Sequence, residues 1–124
     1  MIKNFEKETS PLTEYEREEL VPAVVKGLEG HVGKQLAVTN QNFIRKWMKG
    51  YKVNSIRLRK VINHIRVKGL LKGLMATSRG YYIAESREEL EVYIESLKGR
   101  EDAIRKLRQS IKRQMEKLYP KKDE

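Results

Sequence analysis

The chain has 124 residues, a formal net charge of +10 and no cysteine. That length holds one domain of ordinary size plus an appendage, not two full cores. The lack of cysteine excludes disulfides and thiolate chemistry, and the two histidines, His31 and His64, lie too far apart in sequence to suggest a shared site, so neither a metal nor a cofactor is expected.

The N-terminal stretch carries charges where a signal peptide needs an apolar core, and no apolar run approaches the roughly 18 residues of a membrane span. A cytoplasmic location without membrane attachment is the expectation. The charge is unevenly distributed. Residues 1–29 hold seven acids against four bases and residues 85–124 hold ten against eleven, whereas His31 to Ala84 contains twelve lysines and arginines and no acid. A block of one sign that also carries regularly spaced apolar residues reads as a folded surface facing a polyanion, and nucleic acid is the commonest such partner. The competing reading is a basic face that is merely solvated.

Residues 1–11 lack periodicity and end in Ser10-Pro11, which reads as a loose arm. Thr13 with Glu16 makes a capping box, and Leu20, Val21, Val24, Val25 and Leu28 form one helical apolar stripe. Pro22 has no N–H for the carbonyl of Glu18, so either the helix kinks there or a short acidic turn precedes a main helix with Pro22 in its first turn. Gly27, Gly30 and Gly33 read as its end and a loop. A short apolar piece, Leu36-Ala37-Val38, precedes a second helix of about ten residues, capped by Thr39 or Asn40. Phe43, Ile44, Trp47 and Tyr51 line one face of that helix, and Trp47 is expected to anchor the core. Asn54 or Ser55 caps a third helix that runs to about Lys68, buries Leu58, Val61, Ile62 and Ile65, and stops at Gly69. Leu70 to Thr77 and Tyr81 to Ala84, joined by Ser78-Arg79-Gly80, read as a β-hairpin in which Tyr81 and Tyr82 alternate faces, one packing inward and one outward.

The fold class is therefore mostly α with a small β-hairpin, an α+β arrangement. Helix, short strand, helix, turn, helix and hairpin is the order of a winged helix-turn-helix domain. Three stretches, Ala37-Val38-Thr39-Asn40, Arg57 through Arg66, and Ser78-Arg79-Gly80-Tyr81-Tyr82-Ile83-Ala84, resemble small winged-helix proteins of phages and mobile elements. The resemblance spans about residues 12–98 and implies a DNA-binding fold, although winged helices also bind RNA and proteins.

With the third helix's stripe buried, the helical wheel turns Ile56, Lys60 and Asn63 outward and leaves Arg57 and Arg59 on the flanks. Arginine grips guanine through two hydrogen bonds, asparagine does so for adenine, and isoleucine meets a thymine methyl. Ser55, Ile56, Arg57, Arg59, Lys60 and Asn63 are thus the candidate base and groove contacts. Thr39, Lys46, Lys49, Lys52 and Arg66 are candidate phosphate contacts, which orient without reading sequence. The resemblance adds Arg79 at the hairpin tip, where a wing touches DNA.

After a second capping box, Ser86 with Glu89, apolar residues recur at near-heptad spacing, with Leu90, Leu97, Ile104, Ile111 and Leu118 seven apart. An unbroken helix over 86–118 would span roughly 50 Å, more than the width of such a domain. Leu97, Ile104, Leu107, Ile111, Met115 and Leu118 are accordingly assigned to a homodimer contact, with a bend at Gly99 as the alternative. Residues 12–85 form the expected DNA-binding domain, 86–118 the long helix and 119–124 a frayed tail.

Gly30-His31-Val32-Gly33-Lys34-Gln35 lacks the glycine spacing and the Ser or Thr of a phosphate loop, and the basic block offers no general base. No enzyme activity is expected. The reading is sequence-specific binding of double-stranded DNA by a transcriptional regulator, or a replication or maintenance factor, of a phage or mobile element. RNA binding by the same face and a protein-interaction adaptor are the alternatives.

Overall fold

The computed structural model describes residues 10–122, so the arm expected over 1–11 lies almost wholly outside the described residues. The first helical segment starts at the expected capping box. The Thr13 N–H donates to Glu16 Oε1 at 2.8 Å and the Glu16 N–H to Thr13 Oγ1 at 3.2 Å. A π-helical turn, Glu16–Leu20, runs into helix α1, Val21–Leu28, with Pro22 in its first turn. The Val21 N–H reaches back five residues to the Glu16 carbonyl. This wider turn meets the proline's lack of a donor with an acidic turn ahead of the main helix rather than a kink inside it.

Gly27 does not end α1 but lies buried within it. A Cβ there would stand 2.8 Å from Phe43 Cζ, so glycine lets α1 approach helix α2, Asn40–Trp47, closely. Thr39 caps α2, its Oγ1 accepting from the Asn42 N–H at 3.3 Å, and Asn54 caps helix α3, Ser55–Lys68, accepting from the Arg57 N–H at 2.8 Å. Helix α3 stops at Gly69, whose φ of 66° is left-handed, and the Leu70 N–H donates to the Ile65 carbonyl at 3.0 Å.

The hairpin is shorter than expected. Strand β1 is Leu74–Thr77 and strand β2 is Gly80–Ile83, antiparallel, with Thr77 opposite Gly80 across the two-residue Ser78-Arg79 turn. The chain before α2 joins its edge. Val38 and Tyr81 exchange two backbone hydrogen bonds of 3.0 and 2.8 Å. Gly80 permits this contact: its φ is 122° and a Cβ would fall 2.4 Å from the Val38 carbonyl oxygen.

The core gathers Leu20, Val24 and Leu28 of the first helical segment, Phe43 of α2, and Leu58, Val61, Ile62 and Ile65 of α3, all at most 1% exposed. Two expectations fail here. Trp47 is 47% exposed, and Met48 fills the core position instead at 2%. Helix α2 ends at Trp47, and Met48, with φ −113° and ψ 23°, leaves the helical spacing on which the Trp47 assignment depended. Tyr51, with the helix already ended, lies exposed in the connection. Tyr81 and Tyr82 are both buried rather than divided between core and solvent, Tyr81 in the main cluster and Tyr82 paired across the strands with buried Met75.

Two compact units are delimited, one ending at Ser86 and the other starting at Arg87. The second is built on helix α4, Arg87–Leu118, 32 residues without interruption at Gly99. At 1.5 Å per residue it is about 48 Å long. Among the described residues no helix is long and apolar enough to cross a membrane.

Candidate nucleic-acid interface

Helix α3 carries cations of two kinds. Arg57 and Lys60 converge on Glu16, which the capping box places against the start of α3. Arg57 Nε donates to Glu16 Oε2 at 2.8 Å and Lys60 Nζ to Glu16 Oε1 at 2.7 Å. Arg57 also donates to the Lys52 carbonyl at 3.1 Å and to Thr13 Oγ1 at 3.4 Å, and its guanidinium lies over the Tyr15 ring, 5.0 Å from the centroid. The Tyr15 hydroxyl accepts from the Lys52 N–H at 2.9 Å. Burial by itself would raise the Glu16 carboxyl, but hydrogen bonds from Lys60, the Thr13 N–H and Arg57 outweigh it and hold the pKa at about 2, below the usual 4.5.

The expectation that Lys60 points outward is therefore corrected. Its ammonium lies on Glu16, and the residue is only 9% exposed. Arg57, half-buried, is held in the same cluster. Sequence spacing held a signal for this: Glu16, Leu20 and Val24 recur every fourth residue, which puts an acid on the buried stripe where it demands a cationic partner.

The other face of α3 is different. Arg59, Asn63 and Val67 are exposed at i, i+4 and i+8, a ridge along the helix, with Ile56 and Arg66 half-buried beside it. Ser55, half-buried in the first turn, offers its carbonyl to Asn40 Nδ2 at 3.1 Å. The same Asn40 accepts from the Tyr81 hydroxyl with its Oδ1. One side chain thus ties the start of α2 to the start of α3 and to β2. The sequence reading considered Asn40 only as a cap.

The remaining candidates lie on other elements. Thr39, Lys46, Lys49 and Lys52 are exposed. Lys46 and Lys49, together with Arg45, Asn42 and Gln35, line a surface groove of about 650 Å³ between α2 and the segment leading to Val38. Arg45 was not among the candidates; its guanidinium hydrogen-bonds Asn42 Oδ1 on the preceding turn of α2. Arg79 is exposed in the hairpin turn, which Thr77 Oγ1 fixes by accepting from the Arg79 N–H at 3.2 Å. His31 packs edge-on to Phe43 and Trp47, and its Nδ1 is buried without a hydrogen-bond partner.

In the second unit the assigned contact residues are exposed, Leu97 at 38% and Ile104 at 66%, with Leu107, Ile111, Met115 and Leu118 between 49% and 68%. Among the described residues no group of three or more His, Asp or Glu side chains is placed to hold a metal ion. Comparison of the chain with protein-family models, with curated proteins and with solved structures gave no match.

Proposed function

We propose that this protein is a winged helix-turn-helix protein that binds double-stranded DNA sequence-specifically, with α3 in the major groove and the hairpin as the wing. The observation that carries this reading is the exposed ridge of Arg59 and Asn63. It is chemically suited to guanine and adenine edges and lies in a stretch from His31 to Ala84 without a single acid. Lys46, Lys49 and Lys52 then grip phosphates, and Thr39 and Arg66 assist at the flanks. Arg79 reaches the minor groove or backbone from the wing. Two copies joined through α4 place two reading heads on one duplex. The role that suits such a molecule is that of a regulator, or a replication or maintenance factor, of a mobile element.

RNA is the alternative reading for this face. Single-stranded RNA recognition draws on exposed stacking aromatics; Tyr81 and Tyr82 are buried, whereas Trp47 and Tyr51 are exposed within the basic block.

The test is a selection of bound sequences from a random duplex library, followed by a salt titration on the enriched site. Enrichment of a defined motif is expected, with a log–log salt slope near −5 if about six phosphates are neutralised. Flat selection together with salt-independent binding overturns the proposal.

A further inference from the structure

The exposed stripe of α4 is interrupted by charge in a particular order. With Leu97, Ile104, Ile111 and Leu118 taken as one heptad position, the companion position four residues on holds Ile94, Glu101, Arg108 and Met115. Two opposite charges thus occupy consecutive heptads of the seam, between apolar residues that are exposed at both ends. About three and a half heptads, the length of a stable two-stranded coiled coil, lie between Ile94 and Leu118.

We propose that α4 pairs with α4 of a second copy in antiparallel orientation, centred near Lys106. This inference rests on the dimer reading above and adds its geometry. In a parallel, in-register pair, Glu101 meets Glu101 of the other copy and Arg108 meets Arg108, two like-charge layers inside the seam, with Arg100 facing Arg105 at its edge. Reversing one helix removes both clashes. Ile94 then lies level with Leu118 of the second copy and Leu97 with Met115, while the two Leu107 side chains come within about 3 Å axially, two residues, across the two-fold axis. Glu101 comes within about 4.5 Å axially, three residues, of Arg108 on the other helix, and the symmetry makes this pair twice. Arg105, near the axis, is already neutralised within its own chain by Asp102 at 2.9 Å. The layers inside the seam are thus self-complementary on reversal, with Lys98 beside Lys112 of the second copy as a like-charge contact at the edge, and the match within the seam selects a second copy as the occupant over an unrelated helix.

The chain lacks cysteine, so single cysteines report orientation directly. Full-length Leu97→Cys and Met115→Cys proteins are oxidised separately and as an equal mixture. The antiparallel pair predicts a disulfide-linked mixed dimer from the mixture and none from Leu97→Cys alone, because those two sites lie about 27 Å apart along the pair. Self-linking of Leu97→Cys overturns the orientation while leaving the dimer intact. A wild-type chain that light scattering finds monomeric well above micromolar concentration removes the dimer reading itself, and a tetramer overturns the two-stranded pair. Independently, Glu101→Arg should raise the dimer Kd roughly tenfold, and adding Arg108→Glu should return it to within about threefold of wild type. A double variant as weak as the single one contradicts the pairing.

Discussion

Arg57 and Arg59 stand two residues apart on the same helix with the same side chain, in opposite surroundings. Arg57 is fastened to Glu16, to the Lys52 carbonyl and to the Tyr15 ring, whereas Arg59 stands exposed on the ridge with Asn63. Charge counted along a sequence is therefore not charge available to a ligand. One carboxylate from the acidic N-terminal segment, 41 residues away from Arg57 in the chain, engages two cations of the basic block and turns them into structural parts. What remains exposed is a narrower surface with sharper consequences for mutation: one face of α3 should govern stability and the other, on the proposed reading, recognition.

The comparison breaks most visibly at Glu16. Replacing it with alanine strands the Lys60 ammonium in a buried site and frees Arg57 from its anchor. Removing one member of a buried ionic cluster costs about 3–5 kcal/mol, so Glu16→Ala should lower the unfolding free energy by about that amount. Chemical denaturation followed by circular dichroism measures it, and a loss below about 1 kcal/mol would mean the cluster is not buried in solution.

Acid should act through the same group. The folded-state pKa of Glu16 is depressed, so its contribution is complete above the ordinary value of 4.5 and declines as pH falls toward about 2. Stability should drop by about 3 kcal/mol across that window from this residue alone. Glu16→Gln should be less stable at neutral pH and show a flatter acid limb. A wild-type and variant difference that stays constant from pH 6 to pH 2 contradicts the assignment.

What could be read from the sequence divides along the same line as the cations. Capping at Thr13, Thr39 and Asn54 and the stop at Gly69 were legible, because each rests on neighbours within a few residues. So were the α+β order and the long helix, since α3 and α4 carry strong periodicity. Burial settled by distant contacts was not. Lys60 falls on the outward side of a helical wheel, yet a carboxylate 44 residues away draws it in. Trp47 sits at helical spacing from Phe43, but α2 ends one residue before Met48 takes the core position. Gly27 resembles a helix stop until the proximity of Phe43 is known. Of the six residues proposed to read bases, Arg57 and Lys60 are engaged by Glu16, a contact that no pattern within α3 could announce.

On the exposed ridge the expected effects are smaller and of another kind. Arg59→Ala and Asn63→Ala should each reduce discrimination between the selected site and random duplex by about 1–3 kcal/mol, if each makes a bidentate base contact. The Asn63 truncation, on an exposed surface, should change stability by less than about 0.5 kcal/mol. Competition binding against random DNA, with a melt for each variant, checks both halves. Equal losses on specific and random DNA would move the reading role away from α3.

Lys49 should give the smallest effect and the cleanest contrast with the ridge. It is exposed in the groove beside α2, and on the proposed reading it meets a phosphate as a point charge and carries no base information. Neutralising one phosphate contact removes about one released counterion, so Lys49→Ala should weaken specific and random binding together and make the log–log salt slope shallower by roughly 0.9. Because the change is electrostatic, the two proteins should converge in affinity as salt rises, whereas an Asn63→Ala deficit should persist. A Lys49→Ala loss that is confined to the selected site, or that survives at high salt, would place base reading on α2 as well and merge the two proposed classes of contact.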